Sequence, residues 1–74
     1  MNNRVRRFKD DYQGNPDNVI GRSYKSKIMS GEIYTVKGFV NDDRGEIRLV
    51  KIGIRGRRFF EVELRECFYD LRVD

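Results

Sequence analysis

Between residues 32 and 64 the chain alternates between apolar runs and short turn clusters, and this alternation restricts the fold more than any other feature. The runs are rich in β-branched and aromatic residues, which favour strands. They are EIYTVKGFV (32–40), EIRLVKIGI (46–54) and RFFEVEL (58–64). The turn clusters NDDRG and Arg55-Gly56-Arg57 separate the runs, and each contains a glycine that can supply a positive φ. We therefore expect three consecutive strands joined by tight turns.

Side-chain alternation within these runs predicts which groups face the core. The second run has apolar residues in both phases, so we expect an interior strand, or one that bends at Gly53. In the third run, the apolar phase contains Phe60, Val62 and Leu64. The opposite phase contains Phe59, Glu61 and Glu63, and we expect the glutamates to face solvent.

The flanking segments are less regular. Residues 19–30 predict one short strand and a long polar connection. The C-terminal segment predicts a short helical turn and a last strand, whose buried groups are expected to be Cys67, Phe68, Leu71 and Val73. Residues 1–18 form an N-terminal arm that is either flexible or a short amphipathic helix, with its apolar groups on one face. Those groups are Val5, Phe8 and Tyr12.

Short strands with a turn signal about every ten residues are typical of a small closed or half-closed β barrel. A chain of 74 residues is one small domain, and we expect the barrel to span residues 19–74. A domain of this size buries only about 60% of the surface that its unfolded chain exposes. Its core is therefore thin.

The residue types that most enzymes use for catalysis are scarce. The chain has no histidine and one cysteine, Cys67, so zinc sites, Ser-His or Cys-His catalysis and an internal disulfide are not expected. Glu61 and Glu63 lie about 7 Å apart on one strand face, but so short a chain has little room for a glycosidase cleft. We expect no catalytic residue, no metal and no cofactor. No apolar run approaches the roughly 18 residues of a membrane span, and we expect a cytoplasmic protein without membrane contact.

Charge is distributed unevenly around a net value of +4. Residues 47–58 contain five cations and no anion, whereas residues 59–74 contain five anions and two cations. This pattern predicts a basic end and an acidic end on the folded molecule.

The basic segment predicts contacts with the phosphates of a nucleic acid. Its candidate residues are Arg48, Lys51, Arg55, Arg57 and Arg58. Four aromatic residues could stack on bases if they are exposed, and they are Tyr24, Tyr34, Phe39 and Phe59. The alternative is structural, because aromatics in a thin-cored barrel mostly fill the core and cations at a hairpin tip discourage edge aggregation. Four further cations lie in the arm beside Asp10 and Asp11, and they are Arg4, Arg6, Arg7 and Lys9.

The run SGEIYTVKGFVNDDRGEIRLVKIG, followed by RFFEVEL and an aromatic-rich end, resembles small SH3-like barrels among phage-encoded proteins. In particular, it is similar to the short early proteins with which large phages of Gram-positive hosts disable replication or transcription. The resemblance implies a half-open SH3-like barrel and a non-enzymatic inhibitor that acts in the host bacterial cytoplasm. The implied partner is a host replication protein, foremost the DNA polymerase sliding clamp, whose access to DNA the inhibitor blocks. A homodimer is also implied.

A sliding clamp lines its DNA channel with cations, so an occupant of the channel is expected to present carboxylates. The candidate partner-binding residues are Asp42, Asp43, Glu46, Glu61, Glu63 and Asp70. The first three lie in the NDDRG turn and its flank, where the alternative role is to favour the turn itself. This turn lacks the ligand number and spacing of a calcium loop.

Overall fold

The computed structural model describes residues 5–74, which form one antiparallel sheet with short helical segments. In chain order, the elements are helix α1 (Phe8–Tyr12), a 3-10 turn (Pro16–Asn18), strands β1 (Ser23–Lys25), β2 (Ile33–Asn41), β3 (Ile47–Ile54) and β4 (Arg58–Glu63), helix α2 (Leu64–Cys67) and strand β5 (Leu71–Arg72).

The strand order is β4-β3-β2-β1-β5, and every neighbouring pair is antiparallel. Strands β1 to β4 form a meander, and α2 carries the chain from β4 to β5, which pairs with β1. β4 and β5 are the two edges of this sheet and do not pair with each other, so the sheet is open. The expected mainly β fold with about five short strands is confirmed, and β3 is an interior strand as predicted.

Both predicted turns of the meander are present. In the β2–β3 turn, Gly45 has a φ of 81°, and the Asp42 carboxylate accepts hydrogen bonds from the backbone N–H groups of Arg44 (2.8 Å) and Glu46 (3.0 Å). In the β3–β4 turn, Arg55 and Gly56 have φ values of 57° and 67°. Consecutive positive φ values are typical of tight hairpin turns.

Strand β2 contains a bulge that the sequence did not reveal. Val36 pairs with Ile52 and Gly38 pairs with Lys51, so Lys37 is an additional residue without a partner in the register. A bulge of this kind bends the strand and redirects a side chain. At this bulge the stem of Lys37 lies close to Gly53 of β3.

The core is small and lies on one face of the sheet. Its fully buried apolar residues are Phe8, Val19, Tyr24, Tyr34, Val36, Val50, Ile52, Ile54 and Cys67. Phe8 comes from α1, which the backbone fastens to the C-terminal segment, because the N–H of Phe8 donates to the carbonyl of Asp70 (2.9 Å) and that of Lys9 donates to Phe68 (3.0 Å). The described part of the arm is thus in contact with the rest of the domain, and residues 1–4 lie outside the described residues.

The predicted burial of the C-terminal segment is only half right. Cys67 is buried and Phe68 packs against the core, but Leu71 is 37% exposed and Val73 is 46% exposed. The pairing register explains the error. Leu71 lies opposite Lys25 in the exposed phase of β1, whereas Arg72 lies opposite the buried Tyr24. Val5 precedes α1 and is 62% exposed, so the apolar face expected of residues 1–18 is only partly buried.

Candidate interaction surface

Asp70 does not belong to the predicted partner-binding surface, because it is buried with only 1% of its surface exposed. Its carboxylate accepts hydrogen bonds from the Tyr34 hydroxyl (2.7 Å) and from the backbone N–H of Lys27 (3.0 Å). Burial, with Cys67 and Asp70 alongside, raises the pKa of Tyr34 above its ordinary value of 10.0, so the hydroxyl keeps its proton and donates. Asp70 therefore joins β2 to the segment before β5.

Cys67 lies beside this pair and is part of the buried core. Burial raises the pKa of its thiol to about 11; the nearby Tyr34 hydroxyl opposes this rise, and the carboxylates of Asp70 and Glu66 add to it. A thiol that stays protonated at neutral pH is a poor nucleophile and a poor metal ligand.

Most of the other acidic candidates lie at the end of the β3–β4 hairpin that is remote from the β3–β4 turn and next to the β2–β3 turn. Asp43 and Glu46 are exposed in the β2–β3 turn, and the register places Glu63 opposite Leu49, near that turn. Glu61 lies further along β4, opposite Lys51. Asp42 serves the turn itself with the two hydrogen bonds described above. These hydrogen bonds give Asp42 the structural role that the sequence also offered.

Cations are mixed with these carboxylates, so the charges are only partly sorted. Arg44 lies in the same turn, Arg48 lies at the start of β3, and Arg65 Nε contacts Glu63 Oε1 at 3.1 Å. The five predicted phosphate-binding residues do not form one patch, because Arg48 and the β3–β4 turn are at opposite ends of β3. A strand of eight residues spans about 26 Å.

The basic end is the β3–β4 turn, where one carboxylate neutralises part of the charge. Glu32 contacts Arg58 at 2.6 Å and Arg55 at 3.9 Å. Arg57 is exposed and makes no ion pair with any residue in the 5–74 range. In the arm, Arg6 lies 3.7 Å from Asp11, while Arg4 falls outside the described residues.

Phe59, Lys51 and Glu61 lie on the face of the sheet opposite the core, here called the outer face, beside an open groove of about 500 Å³. The Phe59 groove, as we call it, is lined by Lys37, Lys51, Ile52, Phe59, Phe60 and Glu61. Phe59 is 64% exposed, which makes its ring the most exposed aromatic side chain of the described chain. An aromatic ring on an uncovered sheet face is available for contact with a ligand.

Gly53 explains how Phe59 is held against the outer face. The two residues are opposite each other in the β3–β4 register. A Cβ atom at position 53 would lie 3.1 Å from Phe59 Cε1 and 3.1 Å from Lys37 Cε. Because glycine has no Cβ, the aromatic ring and the lysine stem both lie close over the backbone at this point.

The four aromatic candidates for base stacking differ in their exposure. Tyr24 and Tyr34 are buried, and Phe39 packs against the core, so the structural alternative holds for these three. Phe59 alone among the four is exposed. The sequence indicated this exposure, because Phe59 is in the same strand phase as Glu61 and Glu63, which were expected to face solvent.

The described part of the chain contains neither a metal-binding cluster nor a membrane-spanning helix. Among residues 5–74, no group of three or more His, Cys, Asp or Glu side chains is placed to hold a metal ion. Within the same range, none of the helices combines the length and apolar character needed to cross a membrane. Comparisons with protein-family models, curated protein sequences and solved structures gave no match to this chain.

Proposed function

We propose that this chain is a non-enzymatic binding module that binds a host replication protein, the DNA polymerase sliding clamp, and blocks the clamp's access to DNA. The sequence resemblance to phage-encoded SH3-like proteins supports this partner. The observation that carries the proposal is the group of carboxylates at one end of the β3–β4 hairpin, namely the exposed Asp43 and Glu46 and the partly buried Glu63. The proposal includes action in the host bacterial cytoplasm and a homodimer.

Complementary charge is the physical basis for this choice of partner. A cationic channel attracts a carboxylate-bearing occupant and accelerates its association. The strands and hydrogen-bonded turns hold these carboxylates on a preformed scaffold, which reduces the entropy lost on binding. The arginines at the same end lower the net negative charge, so the expected attraction is moderate and depends on salt.

Purified sliding clamp from a Gram-positive host provides the test. Isothermal titration calorimetry at about 50 mM salt measures binding, and a clamp-loading assay on nicked circular DNA measures inhibition. We expect Asp43→Lys combined with Glu46→Lys to weaken binding at least about tenfold. Arg57→Glu is the matched control at the other end of β3 and should leave binding intact. Asp42 is kept, because its loss would disturb the turn. Absence of binding by the unaltered protein would refute the proposal.

A second candidate function is binding of nucleic acid through the basic β3–β4 turn. The observation that favours it is the exposed Arg57, which forms no ion pair among the described residues and lies two residues before the exposed ring of Phe59. A phosphate-binding protein loses affinity steeply as salt rises from about 50 to 200 mM. Titration of labelled single- and double-stranded oligonucleotides at both concentrations tests this function. Arg57→Glu should abolish most of the affinity, whereas Asp43→Lys should not lower it.

A further inference from the structure

The Phe59 groove combines features that together suit one type of ligand. We infer that it is a stacking site for an unpaired base of a single-stranded nucleic acid, with Lys37 and Lys51 on the adjoining phosphates. This inference rests on the second candidate function and gives that function a site. The basic turn alone would supply phosphate contacts without any contact to a base.

The ring of Phe59 has the placement that stacking requires. One edge lies against the backbone at Gly53, where a Cβ would approach Cε1 within 3.1 Å and Cδ1 within 3.3 Å. The residue is nevertheless 64% exposed, so much of the ring remains open to a ligand. A ring supported by a strand loses little side-chain freedom when a base stacks on it.

Two lysines lie near the ring, Lys51 on the adjacent strand β3 and Lys37 on β2, the next strand of the sheet. The bulge in β2 places the stem of Lys37 over Gly53, and Lys51 lies two positions before Gly53 on β3. Glu61 also lines the groove, so its three charged residues carry a net charge of one positive unit. Arg57 in the adjoining turn adds a further cation.

This charge and this shape favour a single strand over other ligands. An aromatic platform binds planar rings, and a surplus of cations binds phosphates, and single-stranded nucleic acids present both groups in succession. A duplex keeps its base faces stacked inside the helix, so it can reach the cations but not the ring. A volume of about 500 Å³ is within the range of small-molecule sites and accommodates one nucleotide unit.

The first test removes the ring. Fluorescence anisotropy with a labelled oligothymidylate at about 50 mM salt measures affinity, and we expect Phe59→Ala to weaken binding about 5- to 150-fold. Ile33→Ala is the matched control, because Ile33 is 52% exposed in the exposed phase of β2 opposite Lys25 and lies outside the groove. This control should bind as the unaltered protein does. Circular dichroism confirms that each variant is folded.

The second test moves the ring without deleting it. Gly53→Ala places a methyl group 3.1 Å from both Phe59 and Lys37, so both side chains must shift, and we expect weaker binding. Gly38→Ala is the control, because its methyl group would meet Lys51 Cδ at an ordinary 3.7 Å. If Gly53→Ala fails to fold, Phe59→Ala decides the question, because that side chain is mostly exposed.

The third test measures how the two lysines affect the salt dependence of binding. Lys37→Gln and Lys51→Gln should each reduce the slope of log affinity against log salt by about 0.7, the value for one phosphate contact to a single strand. Lys25→Gln, on the exposed side of β1, should leave the slope unchanged.

These measurements separate failure of the site from failure of the function. If the unaltered protein does not bind the oligonucleotide, both the second candidate function and the stacking site are refuted. If Arg57→Glu abolishes binding while Phe59→Ala and Gly53→Ala retain full affinity, the function stands and the stacking site is refuted. Equal affinity for oligothymidylate and for an abasic strand of the same length also refutes stacking.

Discussion

Replacement of Phe8 by alanine tests whether helix α1 is part of the folded core. The side chain of Phe8 is fully buried. Its ring centroid lies 5.1 Å from that of Tyr24, 5.8 Å from Tyr12 and 6.4 Å from Phe68. Truncation of such a residue costs roughly 3 to 5 kcal/mol, because it removes buried apolar surface and leaves a cavity.

That cost is large for a chain of this length. At about 0.05 to 0.15 kcal/mol per residue, 74 residues have a total stability of about 4 to 11 kcal/mol. Urea unfolding followed by far-ultraviolet circular dichroism measures the change. With a slope of about 1 to 3 kcal/mol per molar urea, the midpoint should fall by at least about 1 M.

Val5→Ala is the matched control, because it removes an apolar side chain from the same segment at a position that is 62% exposed. Its effect should stay within about 0.5 kcal/mol. If Phe8→Ala costs less than about 1 kcal/mol, α1 is not docked in solution, and the segment is a flexible arm after all.

Three further predictions concern the core thiol, the β3–β4 turn and its ion pair. The pKa of Cys67 is raised from 9.0 to about 11, so the native thiol holds its proton more tightly than the unfolded one. The protonated thiol therefore contributes about 2 to 3 kcal/mol to the free energy of unfolding below pH 9, and this contribution is lost between pH 9 and 11. Across that range the free energy of unfolding should fall less steeply in Cys67→Ala than in the unaltered protein. Gly56 has a φ of 67°, which is costly for a residue with a Cβ, so Gly56→Ala should lower the free energy of unfolding by about 1 to 2 kcal/mol. Asparagine adopts positive φ more readily than arginine, so Arg55→Asn should raise it by up to about 1 kcal/mol. Urea unfolding measures both changes. A double-mutant cycle on Arg58 and Glu32 should give a coupling of about 0.2 to 1 kcal/mol, since both side chains are partly exposed.

The meander was predictable because its signals are local. The turn clusters contain the glycines that adopt positive φ, and the runs between them alternate with the period of a strand. The same alternation placed Phe59 in the phase of Glu61 and Glu63, which face solvent. These features depend on residues within about ten positions of one another, so a single sequence is enough to reveal them.

The burial of Asp70 was not predictable, because its partners are distant in sequence. Tyr34 is 36 residues away and Lys27 is 43 residues away. An aspartate is expected at the surface unless these partners are known. The errors at Leu71 and Val73 have the same origin, since the phase of a two-residue strand is set by its partner β1 and not by its own pattern.

The β3–β4 turn connects the part of the fold that was predictable with the candidate site. Its geometry sets the register, and the register decides that Phe59 is opposite Gly53 and that Phe60 is opposite Ile52. A slip of one residue would exchange the two faces of β4, so that Phe60 would be on the outer face and Phe59 on the core side. The same slip would turn Glu61 and Glu63 toward the apolar residues of β3, where unpaired carboxylates are costly. The glutamates therefore oppose the alternative register, and the residues that make β4 acidic are also the ones that keep Phe59 on the outer face.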